Sequence, residues 1–329
     1  MDAIKQNILV TGIGGVVGQG VIKNIRRSFP NFAVFGTDTN PFSTGHFLCD
    51  DVKEVPEGND PDYIQAIKEL CSQWSVCLVI PGTDLEMLLL KKHEKQLSCP
   101  VAGSPFETVK FCYDKWLCYE ALQSRNIPFA RSFINDSDIP KHLSQLIAKP
   151  RKGRGSRGII INPKKIGSLL ERDYLIQEFW EGIEITTAFF VNRENKVLGE
   201  ITFKRDLVHG NTTFAEVTFE HRTEINKIIH ALIENYSFRG SLNIQSIVTK
   251  NGEIVPFEIN CRVSGTNSFR YHFGMKDIEY TIQDYLMPEI ELQEMTITKG
   301  CVVRHINDVV YPGIELKNIK NKNDIFTLE

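Results

Sequence analysis

Between Asn243 and Arg262 the chain reads NIQSIVTKNGEIVPFEINCR, and its polar residues have the types and spacing to hold a hard cation. Two apolar runs flank Asn251-Gly252, a strong two-residue hairpin signal. With those residues as the turn, Lys250 pairs with Glu253. Counting back sets Gln245 opposite Glu258 and Asn243 opposite Asn260. Strand side chains alternate, so Glu258, Asn260 and Arg262 share one face, and Val255, Phe257 and Ile259 the other. Gln245–Glu258 falls in the closer, non-hydrogen-bonded class of pair. Pro256 also falls in such a pair, where its missing N–H costs nothing. The outcome is an oxygen-rich cluster with an arginine beside it. Mg²⁺ takes such oxygens and usually completes its shell with phosphates. On the hairpin alone, an exposed polar strand face is an equal reading.

Residues 113–190 offer partners for phosphate. Asp114-Lys115 opens a helix, and Leu146 to Pro150 is a strand with Lys149 among apolar residues. A lysine so placed either snorkels or meets an anion. The loop RKGRGSRG follows, from Arg151 to Gly158. Its successive backbone N–H groups can cradle phosphate oxygens that its cations neutralise, unless it is a solvated hairpin tip. In YLIQEFWEGIEITTAFF, Gln177, Glu178 and Glu184 interrupt two strand runs. Such an edge can give amide and backbone contacts to a base and a carboxylate to a ribose, or it is simply an acidic strand edge.

The elements that must position these groups are also legible. Gln6 to Thr11 is a buried-strand run. A glycine turn from Gly12 to Gly20 follows, then a helix, then a strand ending at Asp38. This is the pattern of a dinucleotide fold. The glycines either receive a phosphate at the helix N-terminus or only permit tight strand–helix packing. Strands and helices alternate as far as Gly103, which predicts a parallel sheet, with Thr83 and Asp84 in a loop where such sheets bind ligands. Arg222 to Tyr236 is a helix with a stripe of Ile225, Ile228, Ile229 and Leu232, expected to pack behind the hairpin's sheet. A strand is expected at Gly300 to His305, within a polar tail.

The bulk numbers narrow the class. The chain has 329 residues, 42% apolar and 24% charged, ordinary for a soluble globular protein. A net charge of −3 gives no basic footprint for nucleic acid. No apolar run approaches the roughly 18 residues of a membrane-spanning helix. The start enters a strand without a signal-peptide layout. Eight cysteines without a CxxC pair suggest reduced thiols and a cytoplasmic protein.

Together these motifs resemble the ATP-grasp superfamily, most closely its carbamoyl-phosphate-synthase-like branch. The resemblance runs from about Asn7 to Leu286. It is carried by Asp114-Lys115, by Ala148-Lys149-Pro150 with the glycine loop, by Gln177 to Glu184, and by Gln245 with Glu258-Ile-Asn260-Cys-Arg262-Val-Ser264. Gln rather than an acid at the first metal position looks like the synthase branch, and Asn40-Pro41 and Cys49-Asp50-Asp51 resemble its N-terminal domain. The implied fold is α/β and α+β. A Rossmann-like pre-ATP-grasp domain would span 1–112, a small ATP-grasp lobe with the glycine-rich lid 113–182, a large lobe with the Mg/phosphate hairpin 183–290, and a tail 291–329.

The resemblance also implies roles. Lys115 and Lys149 contact the phosphates of ATP, and a lid carrying Lys152, Gly153, Arg154, Gly155 and Ser156 closes over them. Gln177 lies near the adenine amino group, the backbone of Glu178, Phe179 and Trp180 reads the base edge, and Glu184 holds the ribose. Gln245, Glu258 and Asn260 bind Mg²⁺. Arg262 stabilises the transferring phosphoryl group. Lys204 or Arg205 reaches the γ-phosphate or the substrate carboxylate, with His209 in the matching loop. The synthases carry two such units and continue after the arginine with a serine-rich segment. This chain has one unit and reads VSGTNSFRYH there, so Ser264, Asn267, Arg270 and His272 are the substrate-side candidates. The implied enzyme is an ADP-forming ligase that activates a carboxylate as an acyl phosphate and joins it to an amine. Its partners are small molecules, neither nucleic acid nor membrane, and a homodimer is the candidate assembly. An NAD(P)-dependent oxidoreductase or epimerase built on the glycine turn is the alternative, although no tyrosine has a lysine four residues later. A non-catalytic ATP-binding regulatory subunit is the other, and the full set of site residues argues against it.

Overall fold

The computed structural model describes residues 6–40, 42–153, 157–208, 210–305, 308–315, 318 and 326–327. The N-terminal part is β1 (Asn7–Thr11), α1 (Val16–Ser28), β2 (Ala33–Asp38), β3 (Asp51–Glu54), α2 (Tyr63–Gln73), β4 (Leu78–Ile80) and α3 (Asp84–His93). Its strands run parallel in the order β3-β2-β1-β4. Helices cover both faces, which is why β1 is a continuous apolar run. Ile8 and Val10 pack with Val21, Ile22 and Ile25 of α1, and Leu9 packs with Ile67 and Leu70 of α2. The alternation expected as far as Gly103 ends in a single parallel bridge from Val101 to Val79.

The glycine turn serves packing. A Cβ on Gly18 would lie 2.6 Å from the Gly12 carbonyl oxygen, and Gly12 itself has φ +60°. The Gly14 N–H, which a pyrophosphate would need, donates to Asp38 Oδ2 at 2.7 Å. The chain's own carboxylate fills that position and would repel a phosphate. The dinucleotide reading therefore lacks a site.

Next come α4 (Phe106–Tyr113) and α5 (Lys115–Gln123). Between them Asp114 caps α5, its carboxylate accepting from the N–H groups of Trp116 and Leu117. A four-stranded antiparallel sheet follows, in the order β5-β8-β6-β7, from β5 (Ser132–Phe133), β6 (Leu146–Pro150), β7 (Ile160–Ile161) and β8 (Tyr174–Glu178), with α6 (Ile166–Leu170) between the last two. The larger sheet is built from β9 (Gly182–Val191), β10 (Val197–Val208), β11 (Asn211–Thr218), β12 (Gly240–Thr249) and β13 (Ile254–Asn260), with α7 (Arg222–Asn235) between β11 and β12. After β13 come α8 (Asn267–Arg270), α9 (Asp277–Leu286) and β14 (Cys301–Val303). The order is β13-β12-β9-β10-β11-β14, so the tail returns to pair with β11. Successive residues of β9 bury on opposite faces. Phe189 packs with Ile228, Ile229 and Leu232 of α7, and Phe190 packs with Phe203 and Met275.

The β12–β13 register joins Gln245 to Glu258 and Asn243 to Asn260, as counted from the sequence. It does so by two departures that cancel. The loop is Lys250-Asn251-Gly252, with Gly252 at φ +81°. Thr249 N–H donates to the Glu253 carbonyl at 2.9 Å, so the expected Lys250–Glu253 pair does not form. That shifts Val248 onto Ile254, Ile247 onto Val255 and Ser246 onto Pro256. A β-bulge then leaves Phe257 without a partner and restores the count. The bulge also changes which side chains share a face. Val255 and Phe257 line the same cavity as Glu258 and Asn260, while Ile254 and Ile259 enter the core.

Three of the expected substrate contacts are elsewhere. Arg270 is fully buried and paired with buried Asp277, with its Nε 3.2 Å from Oδ1. It also donates to Ser264 Oγ at 2.7 Å, Thr266 Oγ1 at 3.0 Å and Ser241 Oγ at 2.8 Å. Asn267 staples α8 to α1: its amide donates to the Val17 and Ser264 carbonyls, and the Asn24 amide donates to the Asn267 backbone carbonyl. A Cβ on Gly20 would come within 2.1 Å of its Oδ1. His272 is exposed and contributes to none of the cleft walls. Arg270 and Asn267 hold the fold because their polarity is spent on internal partners. Removing one member of a buried pair strands the other, so Asp277→Ala should cost about 3–5 kcal/mol of unfolding free energy in urea titrations. Combining it with Arg270→Met should recover much of that loss. A double variant as unstable as the single one would show that the charge is not what matters.

Candidate active site

The two antiparallel sheets face each other across a cavity of about 310 Å³. Lys149 from β6 and Gln177 from β8 form one wall. The floor comes from Asn243, Gln245 and Ile247 of β12 and the bulged stretch of β13. Lys149 is 5% exposed. Its Nζ donates to Gln177 Oε1 at 2.7 Å and lies 4.4 Å from the centre of the Phe257 ring. Burial above all pulls its ammonium down to about 8; Glu258 opposes the fall, Lys115 adds to it, and Glu184 opposes it. The Gln177 amide is used in turn, donating to Ser132 Oγ at 3.1 Å and to the carbonyl of bulged Phe257 at 3.4 Å.

At the polar end, Asn260 donates to Glu258 Oε1 at 3.1 Å. Arg262 donates to Asn260 Oδ1 at 3.0 Å, to Asp84 Oδ2 at 2.6 Å and to the Val263 carbonyl. Asp84 is the first residue of α3, and Thr83 caps that helix. Among the described residues no group of three His, Cys, Asp or Glu is placed to hold a metal. A metal here would rest on the single carboxylate of Glu258 with the amide oxygens of Asn260 and Gln245. Such a set fits Mg²⁺ whose remaining ligands come from phosphate and water. The opposite end is apolar, lined by Ile147, Leu207, Ile247, Val255 and Phe257, with Phe179 and Trp180 at its edge. The Glu178 carboxylate is held by both arms of Arg131, at 2.8 and 2.9 Å, which leaves its backbone to face the cavity.

Glu184 accepts from Arg205 at 2.8 Å, and both line the cavity. Lys204, the neighbouring position on β10, points the other way and donates to Glu220 at 2.8 Å. It is not brought to the site, and Arg205 stands there instead. Lys115 Nζ donates to the Gly153 carbonyl at 3.2 Å, and Arg151 pairs with Asp114 at 2.8 Å, so the root of the glycine loop is fixed to α5. Gly153 and Ser264 line the cavity, and Lys152 is exposed outside it. Arg154, Gly155, Ser156 and His209 lie outside the described residues. Sequence reasoning missed Arg131 and Ser132, which position Glu178 and Gln177, and also Arg304 of the tail, which lines the cavity.

Comparison with known proteins agrees with this arrangement. Residues 112–266 match the family model of the ATP-grasp domain. Residues 8–101 match the model of the PylC-like N-terminal domain. A D-alanine–D-alanine ligase of Petrotoga mobilis is 26% identical over 175 residues, which cover 47% of this chain and 58% of the relative. The chain thus spans little more than half the length of that relative. Among solved structures, N5-carboxyaminoimidazole synthetase of Staphylococcus aureus complexed with ADP superposes with a TM-score of 0.72 at 13% identity, covering 90% of this chain and 82% of that one. The biotin carboxylase domain of a Hydrogenobacter thermophilus 2-oxoglutarate carboxylase, a dimer solved with MgADP and bicarbonate, gives 0.70 at 15% identity, covering 90% and 73%. The fold and superfamily expected from the sequence are borne out.

The Lys149 environment has a consequence for stability. The folded-state value is depressed below the unfolded one, so the cost of burying the ammonium is present at neutral pH. It disappears as pH rises from about 8 toward 10.5. The unfolding free energy of Lys149→Met relative to the natural chain should fall over that interval, by up to roughly 3 kcal/mol. A pH-independent difference in denaturant titrations would mean that Lys149 is not held as described.

Proposed function

We propose that this chain is an ADP-forming ligase that activates a carboxylate with ATP and joins it to an amine. The observation that carries the reading is Lys149. It is a buried ammonium with one neutral oxygen partner, facing a cleft whose far wall is Glu258, Asn260 and Arg262. A cation kept in that setting is poised for an anion with several negative oxygens. The apolar end of the cleft suits a base, the Glu184–Arg205 pair a ribose, and the Lys115–Lys149–Arg262 end a triphosphate. The relatives' names, a D-alanine–D-alanine ligase and a synthetase solved with ADP, support the same chemistry.

A carboxylate is a poor acyl donor because its leaving oxygen is too basic. In the proposed reaction a substrate carboxylate oxygen attacks the γ-phosphorus, and the bond from that phosphorus to the bridging oxygen of ADP breaks. The acyl phosphate formed is then attacked by the amine, which loses a proton as phosphate leaves. The protein positions the groups and stabilises charge. Lys149 and Lys115 hold the phosphates, and Arg262 stabilises charge on the transferred group. The loop rooted at Arg151 and Gly153 keeps water from the acyl phosphate. Mg²⁺, held by Glu258, Asn260 and Gln245, would neutralise charge on the phosphates when bound. We assign residues 1–112 to the pre-ATP-grasp domain, 113–182 and 183–290 to the small and large lobes, and 291–329 to the tail. Among the described residues no helix is long and apolar enough to cross a membrane; a cytoplasmic location and a homodimer complete the proposal.

Purified protein should bind ATP by calorimetry only with Mg²⁺ present. It should release ADP with some members of a carboxylate panel screened with and without amines. Glu258→Ala should lower turnover by about 10²–10³-fold or more. Absence of Mg²⁺-dependent nucleotide binding in the natural chain would sink the ligase reading.

A further inference from the structure

Next to the nucleotide cleft is a second cavity of about 920 Å³. Its walls come from four separate parts of the chain. One is α1, through Val16, Gln19 and Lys23; another is the loop at 42–47; the third is α8, through Ser268 and Phe269; the fourth is the returning tail, through Val302 and Arg304. Val16 and Arg304 line both cavities, so the two share a wall at the end of the cleft where Arg262, Ser264 and Gly265 lie.

This second wall has a distinct chemistry. Phe42, Phe47 and Phe269 make it apolar on one side. Arg304 lies across Phe269, with its guanidinium carbon 5.4 Å from the ring centre. Its Nη2 donates to the Gly265 carbonyl at 2.8 Å, and its Nη1 has no acceptor. Neither Arg304 nor Lys23 has a carboxylate within ion-pair distance among the described residues. Partial desolvation is the largest influence on Lys23, which keeps an exposed side chain, and it pulls the ammonium down, with Arg27 and then Arg304 adding to the fall. The other titratable groups on the wall are His46, His305, Asp308 and Tyr311. Burial is the largest influence on His46 and pulls its imidazole down, against the Ser43 backbone, Asp38 and Asp51. Among the described residues the two cations share a wall on which Asp308 is out of ion-pair contact with either, and an anion between them offsets their mutual repulsion.

Resting on the ligase reading, we propose that this cavity binds the acid to be activated, and that the acid has an apolar body and a second anionic group. Arg304, on the shared wall, holds the carboxylate that faces the cleft. Lys23 lines only the second cavity and holds the distal anion. The phenylalanines hold the body between them. The distal anion is a carboxylate or a phosphate-type group, since a lysine ammonium accepts either.

The test uses the full chain with MgATP and reads ADP release. The probes are α,ω-dicarboxylates from adipate to sebacate with phenylsuccinate, matching phosphonocarboxylates, the corresponding monocarboxylates, and the dimethyl esters. Dianionic acids should have KM values at least tenfold below their monoanionic matches. Lys23→Gln should abolish that preference while leaving the KM for monocarboxylates and the Kd for MgATP unchanged. Arg304→Gln should raise KM for mono- and dianionic acids alike by about tenfold or more, again with MgATP binding intact, and Arg304→Lys should restore part of it. A retained preference in Lys23→Gln overturns the assignment, as does a loss of MgATP affinity in Arg304→Gln equal to the loss for acids. A stronger response to dicarboxylates than to phosphonocarboxylates, or the reverse, identifies the distal group. If the natural chain binds no MgATP, the ligase reading fails separately. Calorimetry of the same acids without nucleotide then still reads the cavity, where equal binding of dianions and dimethyl esters overturns it.

Discussion

One residue without a strand partner, Phe257, sets the geometry of the site. The three-residue loop after Thr249 puts the hairpin out of step by one. Left uncorrected, a slip of one would turn Glu258 and Asn260 into the core and Ile259 out of it. The bulge at Phe257 corrects the phase and places its own side chain in the cleft. Its carbonyl, free of the ladder, accepts from Gln177, whose other amide atom accepts from Lys149. Its ring lies beside the Lys149 ammonium. A single extra residue thus supplies the apolar floor, the polar wall and the seat of the buried cation.

Three cations that line the cleft, Lys149, Lys115 and Arg262, are all held on acceptors of the chain itself. Lys149 is on a glutamine oxygen, Lys115 on the Gly153 carbonyl, and Arg262 on Asp84 and Asn260. Three of those four acceptors are neutral, and an incoming polyanion offers more charge than any of them. The cleft is therefore preorganised with its cations aimed inward and only lightly engaged, which lowers the ordering cost of binding. The Lys115–Gly153 bond also ties one of these cations to the glycine loop.

Much of this was legible in the sequence, because the strongest signals are local. The strand–glycine turn–helix start, the apolar stripe of α7 and the Asn-Gly turn each follow from neighbouring residues. So do Lys149 within a strand and the alternation of Glu258 and Asn260. The register was correct at Gln245–Glu258 only because two deviations cancel. The bulge is supported by Ala130, which donates to the Pro256 carbonyl, and by Gln177, and both are far away in sequence. Burial was the other blind spot. Asn267, Arg270 and His272 have the polarity of substrate contacts, but two of them are fully enclosed, and no local pattern distinguishes an arginine facing a ligand from one facing Asp277. Lys204 and Arg205 are adjacent, and only strand phase separates them. Arg304 lies in an unremarkable CVVRH segment whose return to β11 is a tertiary event.

The N-terminal domain gains a different meaning from this packing. Its glycine turn has the spacing of a nucleotide site, yet Asp38 fills the place of the phosphate. The domain instead bears on the larger lobe at two points. Asp84 at the start of α3 holds Arg262, and α1 is stapled to α8 by Asn24 and Asn267, with Gly20 permitting the close approach. The first contact fixes the arginine at the polar end of the cleft. The second brings Val16 up to the same end, with Lys23 on the adjoining cavity. A parallel sheet presents its ligands at the carboxyl ends of its strands. Here that edge is turned toward a site on another sheet. The fold keeps the location of a binding edge while giving up the nucleotide that usually occupies it.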